Sequence, residues 1–212
     1  ERNPTSDLNG EDVSSKLKIL SSLCFNSYIN HNIYVEGIKD VDQSDIINAN
    51  KLGYKIKLLG VSEFKNNKIT QRVHPALIDK YSYIAGIDGV LNAIIIDGKP
   101  VGQSIIQGEG AGPEATTSAL VSDISSILRG NIKYPFGISS KKRKIIEPFN
   151  NDNYKKSLYL RFEVKDKQGV LSLISNRLAK FKISVKRIIQ TPDKKNRKAT
   201  IVIITHKTTE KK

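Results

Sequence analysis

Asp12 and Lys16 stand four residues apart in the stretch Asp7-Leu-Asn-Gly10-Glu-Asp12-Val-Ser-Ser-Lys16. On a helix that spacing makes a carboxylate and an ammonium neighbours. Glu1 and Asp7 add two more carboxylates, within reach if the intervening turn folds back. Such a set can hold an ammonium group through charge-assisted bonds. It can also exchange a proton with a hydroxyl, if partial burial lowers the lysine pKa. On spacing alone, a plain surface ion pair of little consequence is the better reading.

The surrounding sequence sets out the elements that would position these groups. Residues 7–10 read as a turn, since Asn and Gly tolerate left-handed angles. Residues 12–27 read as a helix with Val13, Leu17, Leu20 and Cys24 on its apolar face. Cys24 is then a small buried residue. Asp12 sits near the positive helix N-terminus. Residues 28–32 form a polar break and 33–38 a short strand or loop. A second helix spans 46–52, with Ser44 as N-cap and Gly53 closing it. Strands at 54–61 and 69–73 flank a turn at Asn66-Asn67, and His74-Pro75 ends the second of them. Strands at 90–96 and 100–107 flank a turn at Asp97-Gly98. Gly108-Glu-Gly-Ala-Gly112 then opens a helix over 113–128, whose Ala115, Ala119, Ser122 and Ser126 suit close packing on a neighbour. Backbone N–H groups at such a helix start can face an anion, although the cluster is equally a tight strand-to-helix turn.

Residues 131–156 read as a solvated linker with a basic run, Lys141-Lys-Arg-Lys144. Beyond them a strand at 158–164, a helix at 169–181 and strands at 183–190 and 199–205 form a βαββ unit. The predicted fold class is therefore α+β. A mixed, antiparallel-rich sheet covered by helices on one side occupies residues 1–130, and the βαββ unit occupies 157–212.

The pattern Glu1-x-x-Pro-Thr-x-Asp7-Leu-x-Gly10-x-Asp12-x-x-x-Lys16-Leu-x-Ile-Leu20 resembles the substrate-site segment of homoserine dehydrogenases. Gly53-Tyr-Lys-Ile-Lys-Leu-Leu-Gly60, Val73-His-Pro-Ala-Leu77 and Gly108-Glu-Gly-Ala-Gly112 look like the sheet and closing helix of that family's catalytic domain. The resemblance implies interconversion of L-homoserine and L-aspartate 4-semialdehyde with NADP or NAD, on the route to threonine, methionine and isoleucine. It implies Lys16 as proton donor, Glu1, Asp7 and Asp12 as substrate ligands, and Gly110, Ala111 and Gly112 near the nicotinamide. The family often has Pro-Thr-Ala-Ser-Ala in the helix that follows, where this chain has Glu114-Ala-Thr-Thr-Ser-Ala119 with Pro113 shifted. The βαββ run, with Asp166-Lys-Gln-Gly169-Val-Leu at its turn, resembles an ACT regulatory domain that stops short of a last helix and strand. Threonine is the expected effector, with Asp166 and Gly169 at its site; Asp166 as a mere helix cap is the competing reading. The family is also typically a homodimer or higher homo-oligomer, and pairing through the apolar strand at 90–96 is expected here.

Composition narrows the alternatives. The net charge of +14 is uneven. Residues 1–130 carry 13 Lys+Arg against 15 Asp+Glu, and residues 131–212 carry 22 against 6. The basic part lacks interleaved exposed aromatics, so nucleic-acid binding is not expected. One Cys excludes an internal disulfide, and no apolar run approaches a membrane span of roughly 18 residues. A cytoplasmic setting fits both. His31, His74 and His206 lack metal-ligand spacing, so no zinc site is expected and His74 reads as structural. The chain has no Met and no Gly-x-Gly-x-x-Gly after a strand, so it reads as a fragment without a nucleotide-binding domain, inactive alone. The alternative function is a non-catalytic amino-acid-sensing or basic binding module built on residues 157–206.

Overall fold

The computed structural model describes residues 5–131, 133–149, 154–193 and 196–209. The chain enters through α1 (Thr5–Asn9) and α2 (Glu11–Phe25), separated by Gly10 at φ 80°. The predicted turn is thus a short helix followed by one left-handed glycine. The buried face of α2 runs through Leu17, Ser21 and Ser22 and not through Leu20 to Cys24, which is exposed. Ser21 is held by Ser62 at 2.8 Å and by the Gln71 amide at 2.8 Å. A buried hydroxyl satisfied in this way leaves no trace in hydropathy, so apolar spacing misplaces the face by one step.

β1 (Ser27–Tyr28) and β2 (Tyr34–Val35) follow, then α3 (Gln43–Lys51). The N-cap of α3 is Asp42 and not Ser44, and Asp45 reaches back to accept the Asp42 N–H at 3.0 Å. β3 (Tyr54–Lys65) and β4 (Lys68–Asp79) then form a long antiparallel hairpin. Asn66 and Asn67 both take positive φ in its turn, as a two-residue hairpin loop requires. Gly60 of β3 brings the backbone close under α2, where an added Cβ would lie 3.1 Å from Val13. Leu17, Ile33 and Val73 make the core of this layer.

β4 does not stop at His74-Pro75 but continues to Asp79, with Pro75 opposite Leu58. β2 runs parallel to β4 only at Arg72 and Val73, and the Val73 carbonyl accepts the Glu36 N–H. Alternation turns the Pro75 nitrogen to that same side, where no further strand pairs. A proline is tolerated on such an open edge because no ladder bond is lost.

β5 (Leu91–Gly98) and β6 (Gly102–Glu109) form a two-stranded sheet of their own, separate from the sheet of β2, β3 and β4, where one sheet was expected. Asp97 and Gly98 lie within β5, and residues 99–101 make the turn. Lys55 and Lys57 of β3 anchor the preceding loop through Asp88 at 3.1 and 2.5 Å. α4 (Pro113–Leu128) has no fully buried residue, so the close packing expected of its small side chains is not made among the described residues.

The basic linker is instead a strap tied to the first unit. β7 (Lys144–Ile145) pairs with β1, and β8 (Glu147–Pro148) pairs with the start of β4. Ile146 between them is buried. Arg143 stacks on Phe136 and Tyr28, with 4.4 and 5.3 Å to the ring centroids.

β9 (Lys155–Lys156), β10 (Tyr159–Lys165), α5 (Val170–Lys180), β11 (Val185–Asp193), β12 (Lys198–Thr205) and β13 (Thr208–Thr209) complete the chain. β10 and β11 flank β12, both antiparallel to it. Ile201 and Ile203 of β12 pack toward α5, while Val202 and Ile204 pack with Leu52, Tyr54 and Leu77 of the first unit. A strand buried on both faces reads as a continuous apolar run. Phe181, the last residue of the expected helix, is exposed, and Ile183, expected at the start of a strand, packs against the cluster of Leu178, Ile201 and Ile203 instead. No helix among the described residues is long and apolar enough to cross a membrane.

Candidate functional site

The corner between α1 and α2 positions the candidate acid–base groups. Lys16 Nζ lies 2.5 Å from Asp12 Oδ2, with side-chain exposures of 61% and 40%. Both groups therefore face solvent in the described chain, and Asp12 stands in the first turn of α2 where the helix dipole favours a carboxylate. Asp7 lies on α1, also exposed, and Glu1 falls outside the described residues. The described residues leave the Lys16 ammonium largely open to solvent.

Backbone packing holds this corner with little freedom. Gly10 has φ 80°, and a Cβ there would meet Val35 and Val73 at 3.1 Å. The Ile38 N–H donates to the Leu8 carbonyl at 2.8 Å. At Gly37 a Cβ would fall 2.1 Å from the Leu8 oxygen and 2.7 Å from Asn9 Cα. The connection after β2 thus grips α1 backbone to backbone. Gly37→Ala is expected to displace the corner, costing about 1–3 kcal/mol of stability and roughly tenfold in kcat/KM of the full-length protein. Urea titration and steady-state kinetics check it; unchanged values for both would show that the grip does not position the site.

The Gly108–Gly112 segment is built differently. Gly110 donates its N–H to the Val90 carbonyl at 3.0 Å, and a Cβ there would collide with the Asn92 side chain at 1.4 Å. Gly112 is the N-cap of α4 at φ 113°, with open space where a Cβ would be. Gly110, Ala111 and Gly112 are all exposed. No hydrogen bond or ion pair among the described residues joins this turn to Lys16 or Asp12. At the third candidate site Gly169 is itself the N-cap of α5, at φ 87°, and no side chain caps the helix. Asp166 is therefore not the cap; its N–H donates to the Arg197 carbonyl at 3.0 Å.

Between the two units lies a charged seam that sequence reasoning missed. Asp45 is buried, and its carboxylate accepts from the Tyr159 hydroxyl at 2.7 Å and from Arg161 at 2.6 Å. Arg161 also pairs with Asp42 at 2.5 Å. Burial and the Asp45 carboxylate push the Tyr159 phenol far above its ordinary value. His74 accepts from Arg72 Nε at 3.0 Å through Nε2 and sits 2.8 Å from the Pro75 carbonyl through Nδ1, which fixes the Nδ1–H tautomer. Burial holds its pKa below the ordinary value, against the Pro75 carbonyl and with help from Arg72 and Lys156. His74 is therefore a neutral structural acceptor. The signal for the seam was Arg161, a cation alternating with apolar residues in β10.

A family model described as homoserine dehydrogenase matches residues 1–125. The chain belongs to the homoserine dehydrogenase family. It is 38% identical over 220 residues to the homoserine dehydrogenase of Neisseria gonorrhoeae, covering 100% of this chain and 50% of that protein. The Helicobacter pylori homoserine dehydrogenase is 36% identical, at 100% and 50% coverage. A crystal structure of a homoserine dehydrogenase from Thiobacillus denitrificans superposes with TM-score 0.83 at 33% identity, covering 100% of this chain and 49% of that one. The chain spans about half the length of the curated relatives it matches. Among the described residues no cluster of three His, Cys, Asp or Glu side chains stands ready for a metal.

Proposed function

We propose that this chain forms the substrate-handling part of an enzyme that interconverts L-homoserine and L-aspartate 4-semialdehyde with NADP or NAD. The Asp12–Lys16 pair at 2.5 Å carries the reading. Lys16 gives a proton to the aldehyde oxygen in reduction and takes it from the hydroxyl in oxidation. Asp12 holds the Lys16 ammonium in place and, with Asp7 and Glu1, binds the substrate ammonium. The nicotinamide, when bound, supplies or accepts the hydride. Gly110, Ala111 and Gly112 would flank it; the exposed, side-chain-free turn at Gly112 fits the approach of a flat ring. The second unit, on its βαββ order, is read as an ACT-type unit responding to threonine, with Asp166 and Gly169 at that site. A cytoplasmic setting and a role in threonine and methionine biosynthesis belong to the same proposal. The test is cofactor absorbance on adding L-homoserine to the full-length protein. Turnover with homoserine is expected; a folded full-length protein that reduces neither cofactor defeats the reading.

The chain exposes 15390 Å² of surface. A compact monomer of 23.6 kDa exposes about 9,800 Å². Part of the excess is apolar, including Ile96, Ile105 and Ile106 on the β5–β6 hairpin. We infer that a second copy covers that hairpin, since twofold homodimers are the commonest assembly. Sedimentation of the full-length protein at micromolar concentration is expected to show a dimer or larger, and a lone monomer species would refute it.

A further inference from the structure

A cleft of about 620 Å³ runs along the seam between the two units. Glu36, Asp40 and Arg72 line it from the first unit, and Lys156, Arg161 and Lys186 from the second. That volume lies within the range of small-molecule sites. Its walls carry both signs of charge, and not all of that charge is used within the protein. Arg161 is neutralised by Asp42 and Asp45. Arg72 is not neutralised in the same way. It is 9% exposed, its one ion-pair partner among the described residues is Glu63 at 3.8 Å, and its guanidinium carbon lies 3.8 Å from the centroid of the Tyr154 ring. With Nε donating to His74, the guanidinium is held on three sides. Its Nη1 is buried and has no hydrogen-bond acceptor among the described residues. A buried donor left unpaired is costly, and Arg72 itself lines the cleft, so its guanidinium brings unused donor capacity to that wall.

We propose that the cleft binds a free α-amino acid, with its carboxylate on Arg72 and its ammonium on Glu36 and Asp40. A guanidinium fixed by stacking and hydrogen bonds is preorganised for a planar carboxylate. Glu36 accepts one bond from the Tyr34 hydroxyl at 3.0 Å and retains accepting capacity, and Asp40 is exposed. Lys156 and Lys186 line the same cleft from the second unit and add to the positive potential that draws a carboxylate into it. Because both units supply walls, an occupant that fits only the closed seam shifts the docking of the regulatory unit on the substrate unit. This site is separate from the turn at Asp166 and Gly169 and from the Asp12–Lys16 corner.

The test is titration calorimetry of the full-length protein with each of the twenty proteinogenic amino acids. At least one is expected to bind. Arg72→Met should weaken that binding at least about tenfold, the value of one lost charge-assisted bond. Lys16→Ala and Asp166→Ala should leave it within about twofold of the starting value. The readout is heat of binding, so the result is independent of whether the protein turns over homoserine. No binding of any amino acid overturns the proposal. So does binding that survives Arg72→Met, whichever of the other two variants abolishes it. If Arg72→Met does not fold, the exposed pair Glu36→Gln and Asp40→Asn takes its place: an equal weakening supports the site, and unchanged affinity overturns it.

Discussion

Lys16→Ala in the full-length protein is expected to lower kcat by about 10²-fold or more, with a smaller change in KM. A hundredfold loss corresponds to about 2.7 kcal/mol of transition-state stabilisation, the usual scale of acid–base help. The proton must move between the substrate oxygen and a group fixed beside it. In the proposed assignment that group is Lys16, paired with Asp12 at 2.5 Å, one helical turn away. An effect mainly on kcat is the mark of an interaction made in the transition state, whereas a purely electrostatic substrate ligand would show in KM. Lys16→Arg should not restore activity, because a guanidinium keeps its charge and does not release a proton at working pH. Asp12→Asn should be milder, since it loosens the ammonium without removing it. Steady-state kinetics with a pH profile decide the matter. If kcat for Lys16→Ala stays within a few-fold of the starting enzyme, the pair returns to the class of solvated surface ion pairs.

Asp45→Ala is expected to cost about 3 kcal/mol of stability. Its carboxylate is buried and accepts three bonds, from Tyr159, Arg161 and the Asp42 N–H. Removing one member of a buried pair leaves the partner short of compensation, at about 3–5 kcal/mol. Arg161 is 26% exposed at its side chain and keeps Asp42 at 2.5 Å, which places the loss at the lower end. The start of α3 also loses the bond that closes it. The loss should not spread evenly. Leu52, Val202 and Ile204 share the core beneath this pair, so the second unit is expected to loosen from α3 while its own core on α5 persists. Urea denaturation followed by hydrogen exchange would show both effects. Adding Arg161→Met to Asp45→Ala should recover part of the loss, because the stranded charge is then gone. A loss below about 1 kcal/mol would mean that the apolar packing alone holds the seam.

Local chemistry made much of this legible from sequence. The Asn66-Asn67 turn, the helix at 113–128 and the βαββ order follow from rules that act over a few residues. Asn accepts left-handed angles, Pro113 starts a helix, and apolar periods of two and near four declare strands and helices. The Asp12–Lys16 pair is local too, because four residues span one helical turn. What the sequence did not show depends on groups brought together from far apart. The 13-17-21 face of α2 ends on Ser21, which is buried only because Ser62 and Gln71 arrive to satisfy it. β4 runs on through Pro75 because β2 is too short to need its missing N–H. The strap at 144–148 gains order only where β1 and β4 offer edges to it. Above all, the seam is a tertiary fact. Asp45 and Arg161 are 116 residues apart, and each alone looks like an ordinary surface charge. Only the folding of β10 against α3 brings them together and buries Asp45, and burial of the carboxylate is what turns a weak surface attraction into an interaction that fixes how the two units meet.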